Sequence, residues 1–426
     1  MKFKAIRGVK DILPGDIERV RRVEQVSREV FEAFGYSEIR IPTFEATEVF
    51  ARGIGATTDI VEKEMYTFED RDGKKITLRP EGTASVVRAY IEHQLYLKKP
   101  VTKLYYLGPM FRYERPQAGR FRQFYQVGVE ALGTISPLVD VEVLSLLSLI
   151  LQRLGVTQIQ LEINSLGDST CRPAYRKALR AFFSDKLSQL CDDCRRRYET
   201  NPLRILDCKR EGCRAVTAKA PSPLDHLCND CLVHFTQVKE GLKRLKIPFV
   251  INERLVRGLD YYTKTAFEVT ASGLGAQNAI AAGGRYDGLV EELGGPPTPG
   301  IGFAMGVERI ATLMSPIEPP RPHLFFALLG EEARREMLPV IMELRGEGIR
   351  AEMDYEGAGL KKQMGMADKL GTSYTLIVGE NELKSKKAVL RDMTTKVQQE
   401  IALSQLIEAL RAIIRPGGSN DRRDSS

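Results

Sequence analysis

Four prolines, Pro316, Pro319, Pro320 and Pro322, crowd into one short stretch three-quarters of the way along a chain of 426 residues. Proline locks φ and has no N–H, so neither a helix interior nor a central strand passes through such a stretch. The chain is therefore expected to fold as two bodies joined there. Residues 1–320 form the larger, interrupted by an insertion over 171–236; residues 321–415 form the smaller; 416–426 are a disordered tail rich in Gly, Ser, Asp and Arg. With 43% apolar and 28% charged residues the composition is that of a globular protein. No apolar run reaches the ~18 residues that a membrane helix needs. The start of the chain, basic and without an apolar core segment, shows no secretory signal, so a cytoplasmic protein with no membrane association is expected. The excess of seven basic over acidic residues is compatible with nucleic acid or phosphate partners.

The two bodies differ in periodicity. In the first, Val20, Val23, Val26, Val30 and Phe34 recur at helical spacing over 17–34, and Gly35 ends the helix. A strand over 37–41 follows, ending at Pro42. Strands are expected over 103–106 and 124–129, a buried helix over 139–154, and strands with glycine-rich turns over 250–313. In the second, strands at 324–329, 349–353, 374–378 and 387–392 alternate with helices at 332–347, 360–370 and 403–413, which predicts a small α/β domain with a mostly parallel sheet.

Four stretches carry polar residues in patterns that suit chemistry. FRYERPQAGRFRQFYQVGVE (111–130) reads as strand, loop, strand. Period-2 geometry puts Arg112 and Glu114 on one side of the first strand, and Phe124, Gln126 and Glu130 on one side of the second. Arginine forks and a phenyl face suit a nucleoside triphosphate; a solvated hairpin with cross-strand ion pairs reads equally well. LVRGLDYYT (255–263) sets Arg257 beside Tyr261 and Tyr262, either for a polar aromatic ligand or as a strand-end turn. AAGGRYDGL (281–289) and GIGFAMGVERI (300–310) lead through glycines to a helix carrying Arg309, aimed at a phosphate or simply packed. TLRPEGT (77–83) places Glu81 and Thr83 in a turn that would hold an ammonium group or start a helix. Neither GxxxxGK[ST] nor GxGxxG with a ribose-binding acid occurs, which disfavours a P-loop or a Rossmann dinucleotide site.

Taken together and in order, these motifs resemble a known family. The 111–130 hairpin is similar to motif 2 of a class II aminoacyl-tRNA synthetase, 300–310 to motif 3, and the helix and strand ending at Pro42 to motif 1, the dimer motif. LVRGLDYYT, AAGGRYDGL and RGVKDILP (7–14) resemble signatures of the histidyl-tRNA synthetase family, bacterial type, and the resemblance covers nearly the whole chain. It implies an α+β fold: an antiparallel-sheet catalytic core with a cysteine-rich insertion, and a C-terminal α/β anticodon-binding domain. It implies activation of L-histidine by ATP with Mg²⁺, then transfer to histidine tRNA, by a homodimer. Arg112 and Arg257 would act at the α-phosphate; Glu114, Arg120, Phe124 and Arg309 would hold ATP. Histidine would meet Glu81, Thr83, Gln126, Glu130, Tyr261 and Tyr262, with Arg112 and Arg257 alongside. Lys361, Lys362, Lys384, Lys386 and Lys387 would reach tRNA phosphates. A regulatory paralogue without ligase activity would lack the C-terminal domain and degrade the RGLDYY stretch; a nucleic-acid binder on an inactive synthetase fold would not need Arg112, Arg257 and Arg309.

All seven cysteines lie in the insertion. Cys191-x-x-Cys194 and Cys228-x-x-Cys231 have the spacing of a four-cysteine structural zinc site, with Cys208 and Cys213 as alternative ligands and His226 and His234 as further options. Free reduced thiols are the competing reading.

Overall fold

The computed structural model describes residues 3–55, 58, 60–115, 119–274 and 278–414. The chain divides into two compact units, Met1–Ile317 and Glu318–Ser426. The tail expected to be disordered lies outside the described residues.

The first unit is built on an eight-stranded sheet. In spatial order its strands are Ser37–Glu38, Thr102–Phe111, Gln123–Leu132, Gly300–Gly306, Ala279–Arg285, Thr263–Ala271, Ile159–Ser165 and Val250–Ile251. The six central strands run antiparallel. The two edge strands are only two residues long and pair in parallel; such short edges limit pairing with other chains. Helices Ile17–Ala33 and Pro137–Arg153 cover the sheet. Val20, Val23, Val26 and Val30 of the first join Leu144, Leu147 and Leu151 of the second over Val127, Val129 and Phe303. Each buried side chain of this size contributes roughly 1.5–3 kcal/mol. The second helix starts where the sequence dictates: the Ser136 hydroxyl accepts the Leu138 N–H, and Pro137 occupies the first turn.

The cysteine-rich insertion is helical: Arg172–Phe183, Asp192–Thr200, Glu211–Thr217 and Asn229–Arg244. The last helix runs through residue 236 and buries Phe235, Val238 and Leu242 in the core beneath the sheet. Tyr175, Leu179 and Phe183 share a second core with Tyr261, Tyr262 and Tyr286. The insertion is thus packed against the segment carrying the paired tyrosines.

The second unit has a five-stranded sheet in the order Ala351–Met353, Leu324–Leu328, Tyr374–Val378, Lys387–Asp392, Gln398–Ala402. The first three strands are parallel and the last two antiparallel. This corrects the expectation of a mostly parallel sheet. The strand Gln398–Ala402 went unpredicted because it is an exposed polar edge, whose solvated face has no apolar alternation to signal it. Leu324–Leu328, by contrast, is buried on both faces, the pattern of a parallel strand sandwiched between helices.

Candidate active site

A cleft of about 410 Å³ opens on the first unit. Glu81, Thr83, Arg112, Glu114, Arg120, Phe124, Gln126, Arg257, Tyr261, Tyr262 and Arg309 all line it. Four segments far apart in sequence therefore converge. The sheet explains how: the strand Gly300–Gly306 pairs with Gln123–Leu132 on one side and Ala279–Arg285 on the other, so the hairpin and the glycine-rich stretches become neighbours.

Arg112 and Glu114 do not sit on a strand, contrary to expectation. The strand ends at Phe111, and residues 112–115 lie in no helix or strand. The Arg112 N–H still donates across the hairpin to the Arg122 carbonyl at 2.9 Å, while its side-chain Nε donates to the Pro80 carbonyl at 2.8 Å. Its guanidinium lies 5.4 Å from the Phe124 ring centroid. Glu114 and Arg120 form an ion pair with each other. Arg309 is the first-turn arginine of helix Val307–Leu313, and it donates to the carbonyls of Gly119 at 2.9 Å and Ala279 at 2.6 Å. Its neighbour Glu308 accepts the Tyr125 N–H at 2.8 Å, tying this helix to the hairpin.

The cations crowd one another. Burial lowers the pKa of Arg112, Arg120 and Arg309, and the positive charge of Arg112 lowers the last two further. Burial also works against the Arg257 cation, but Tyr262 and Glu268 beside it hold its pKa above the ordinary value. Glu268 accepts from Arg257 Nη1 at 2.7 Å.

At the other end of the cleft the turn over 79–83 starts a helix, one of the two readings its sequence allowed. Glu81 accepts the N–H groups of Thr83 at 2.6 Å and Ala84 at 2.9 Å, at the start of helix Thr83–Glu92, and it also faces the cleft. Gln126 Oε1 is buried with no hydrogen-bond partner among the described residues. Glu130 lies behind Thr83 rather than on the cleft wall. It accepts from Thr83 Oγ1 at 2.7 Å and from the Tyr286 hydroxyl at 2.5 Å. Burial pushes its pKa up to about 8. The Tyr261 ring lies tilted against Tyr262, centroids 4.6 Å apart, and edge-on to Tyr286, at 5.8 Å.

Tyr286, Glu268 and Tyr106 are site residues that sequence reasoning missed. Tyr286 lay inside AAGGRYDGL; Glu268 and Tyr106 stand in apolar strands with no local mark. The expected zinc ligand set is corrected: Cys191 and Cys194 gather with Cys208 and Cys213, whereas Cys228 and Cys231 gather with Cys171 and Asp168. The two Cys-x-x-Cys pairs begin different helices and never meet. In the second unit Lys384 pairs with Glu380 at 2.6 Å and Lys387 with Glu400 at 2.7 Å.

Residues 8–310 match the family Histidyl-tRNA synthetase, and residues 323–413 match the Anticodon binding domain. A histidine–tRNA ligase of Geobacter sulfurreducens is 56% identical over 400 residues, spanning 94% of this chain and 97% of the relative. One of Geobacter metallireducens is 55% identical over 399 residues, spanning 93% and 97%. The crystal structure of apo S. aureus histidyl-tRNA synthetase superposes with a TM-score of 0.81 at 39% identity, covering 96% of this chain and 99% of that one. With its class II core and appended anticodon-binding domain, the chain belongs to the histidyl-tRNA synthetase family.

Proposed function

We infer that this chain is a histidine–tRNA ligase whose cleft activates L-histidine with ATP and then passes the histidyl group to the 3′ end of histidine tRNA. In the first step a histidine carboxylate oxygen attacks the α-phosphorus, a P–O bond forms, and the bond to the β-phosphate breaks with its electrons leaving on pyrophosphate. In the second, the terminal ribose hydroxyl attacks the histidyl carbonyl and AMP departs. Neither step needs a covalent enzyme intermediate, so catalysis rests on positioning and on charge stabilisation.

The carrying observation is the convergence of Arg112, Arg120, Arg257 and Arg309 on one cleft. Burial weakens the Arg112, Arg120 and Arg309 cations, and the charge of Arg112 weakens the last two further; a bound polyanion offsets that cost. Arg112 and Arg257 would neutralise charge growing on the α-phosphate, Arg309 would hold the γ-phosphate side, and adenine would lie on Phe124 beside Glu114 and Arg120. The carboxylates on this wall are already engaged: Glu114 by Arg120, Glu268 by Arg257 and Glu308 by the Tyr125 N–H. Among the described residues they form no free carboxylate pair for magnesium, so the ion would arrive on the ATP phosphates.

Glu81, Thr83 and the unpartnered Gln126 oxygen would bind the α-ammonium. Glu130 and Tyr262 would bracket the imidazole, with Tyr261 nearby. Sites that pair every polar atom of a ligand reject analogues lacking one by ~10⁴ or more. The working form would be a cytoplasmic homodimer.

Histidine-dependent ATP–pyrophosphate exchange tests the first step, and charging of histidine tRNA transcripts with and without the extra 5′ guanosine typical of that tRNA tests the second. Exchange that does not depend on histidine would overturn the reading.

A further inference from the structure

The same turn occurs twice in the insertion. Cys191-Asp192-Asp193-Cys194 opens helix Asp192–Thr200, and Cys228-Asn229-Asp230-Cys231 opens helix Asn229–Arg244. The leading cysteines have nearly identical backbone angles, φ −70° with ψ 164° and φ −70° with ψ 165°. In both, the second cysteine is buried in the first turn. Each pair meets a different remote pair, Cys208 with Cys213 and Asp168 with Cys171, and within each quartet one ligand atom per residue lies within 4.8 Å of the others.

The individual separations fit a common tetrahedral centre. Cys191 Sγ stands 3.9 Å from Cys208 Sγ. Asp168 Oδ1 stands 3.3 Å from Cys171 Sγ and 4.0 Å from Cys228 Sγ. Sulfur at ~2.3 Å and oxygen at ~2.0 Å from one zinc ion are ~3.5–3.8 Å apart at the corners of a tetrahedron. A disulfide would need ~2.05 Å, and all seven cysteines are free. The supporting hydrogen bonds repeat as well. The Cys191 N–H donates to Cys213 Sγ at 3.3 Å, and the Cys228 N–H donates to Cys171 Sγ at 3.1 Å. Donors of this kind orient thiolate ligands around a metal. Gly167, at φ +63°, presses against the second quartet: a Cβ there would stand 2.9 Å from Cys171 Cβ and 3.2 Å from its sulfur.

We propose that the chain carries two structural zinc ions, one held by Cys191, Cys194, Cys208 and Cys213 and the other by Asp168, Cys171, Cys228 and Cys231. Clustered thiolates select zinc over magnesium or calcium. The second ion staples the two ends of the insertion together, since Cys171 and Cys231 flank most of it. Both centres adjoin residues that hold the 257–262 segment. Next to the first, Arg204 donates to the Gly258 carbonyl at 2.6 Å and Asn201 to Asp260 at 3.1 Å. Next to the second, Arg172 donates to the Tyr262 carbonyl. The ions would brace that segment without touching substrate.

The test is elemental analysis of the full, untagged chain purified under reducing conditions without chelator and then exposed to excess zinc and desalted. The expected content is two zinc ions per chain. Cys208→Ser and Asp168→Ala should each leave one, and the double variant none. Cobalt substitution supplies a measurement that needs no variant: the unmodified chain should take up two Co²⁺, both with tetrahedral d–d bands and sulfur-to-metal charge transfer. Fewer than two ions in the unmodified chain by both measurements, or a single ion lost equally from variants of either quartet, would overturn the proposal.

Discussion

Arg257 illustrates how one residue's role depends on partners the local sequence does not display. Its Nη1 donates to Glu268, eleven positions on, and its guanidinium lies 5.6 Å from the Tyr262 ring centroid. If it stabilises charge on the α-phosphate, Arg257→Gln should lower kcat for histidine-dependent exchange by about 10²–10³, the cost of removing one donor to a developing oxyanion. Glu130 makes a different demand. Its pKa rises from an ordinary 4.5 to about 8 on burial, so the folded protein holds this proton more tightly than the unfolded chain. The stability it confers is full below pH 4.5 and declines as pH rises toward 8, by about 1.4 kcal/mol per unit while that slope lasts. Glu130→Gln should remove this decline, read as a smaller drop in Tm between pH 5 and pH 8 than in the parent. Glu130→Ala should abolish histidine activation while leaving ATP binding nearly intact; unchanged activation kinetics would refute the assignment.

Elements were legible where one face repeats. The valines at helical spacing over 17–34 and the apolar run over 139–154 appear as helices Ile17–Ala33 and Pro137–Arg153. Period and capping are local properties, so a local reading suffices. The hairpin was legible at its return strand but not at Arg112 and Glu114: the first strand ends at Phe111, and the Arg112 side chain bonds the carbonyl of Pro80, 32 positions earlier. The strand Gly300–Gly306 shows how close packing constrains an element. Gly302 pairs across the ladder with Glu130, and a Cβ at Gly302 would overlap the Glu130 carboxylate and the Val129 carbonyl. Gly302→Ala should therefore cost at least the ~1–3 kcal/mol of overpacking, visible as a lower denaturant midpoint, and should raise the KM for histidine by displacing Glu130.

For the molecule as a whole, the expected homodimer predicts a single sedimenting species of twice the 47.8 kDa chain mass; a monomer at micromolar concentration would reject it. Contacts from the second unit to tRNA should make tRNA affinity fall with rising salt, linearly on a log–log scale, while exchange without tRNA responds less. Reading the chain alone determined the division at the proline stretch, the main helices, the four polar motifs and, through their order, the family. Those features live in short segments whose period, turn chemistry and residue types are visible locally. The tertiary structure alone decided which distant groups share an environment: that Tyr286 joins Thr83 on Glu130, that Glu268 faces Arg257, and that the cysteines sort into two quartets with Asp168 completing the second. Such pairings depend on strand order and on which helices pack against which sheet face, and spacing along a chain does not encode the distance between segments that meet only after folding.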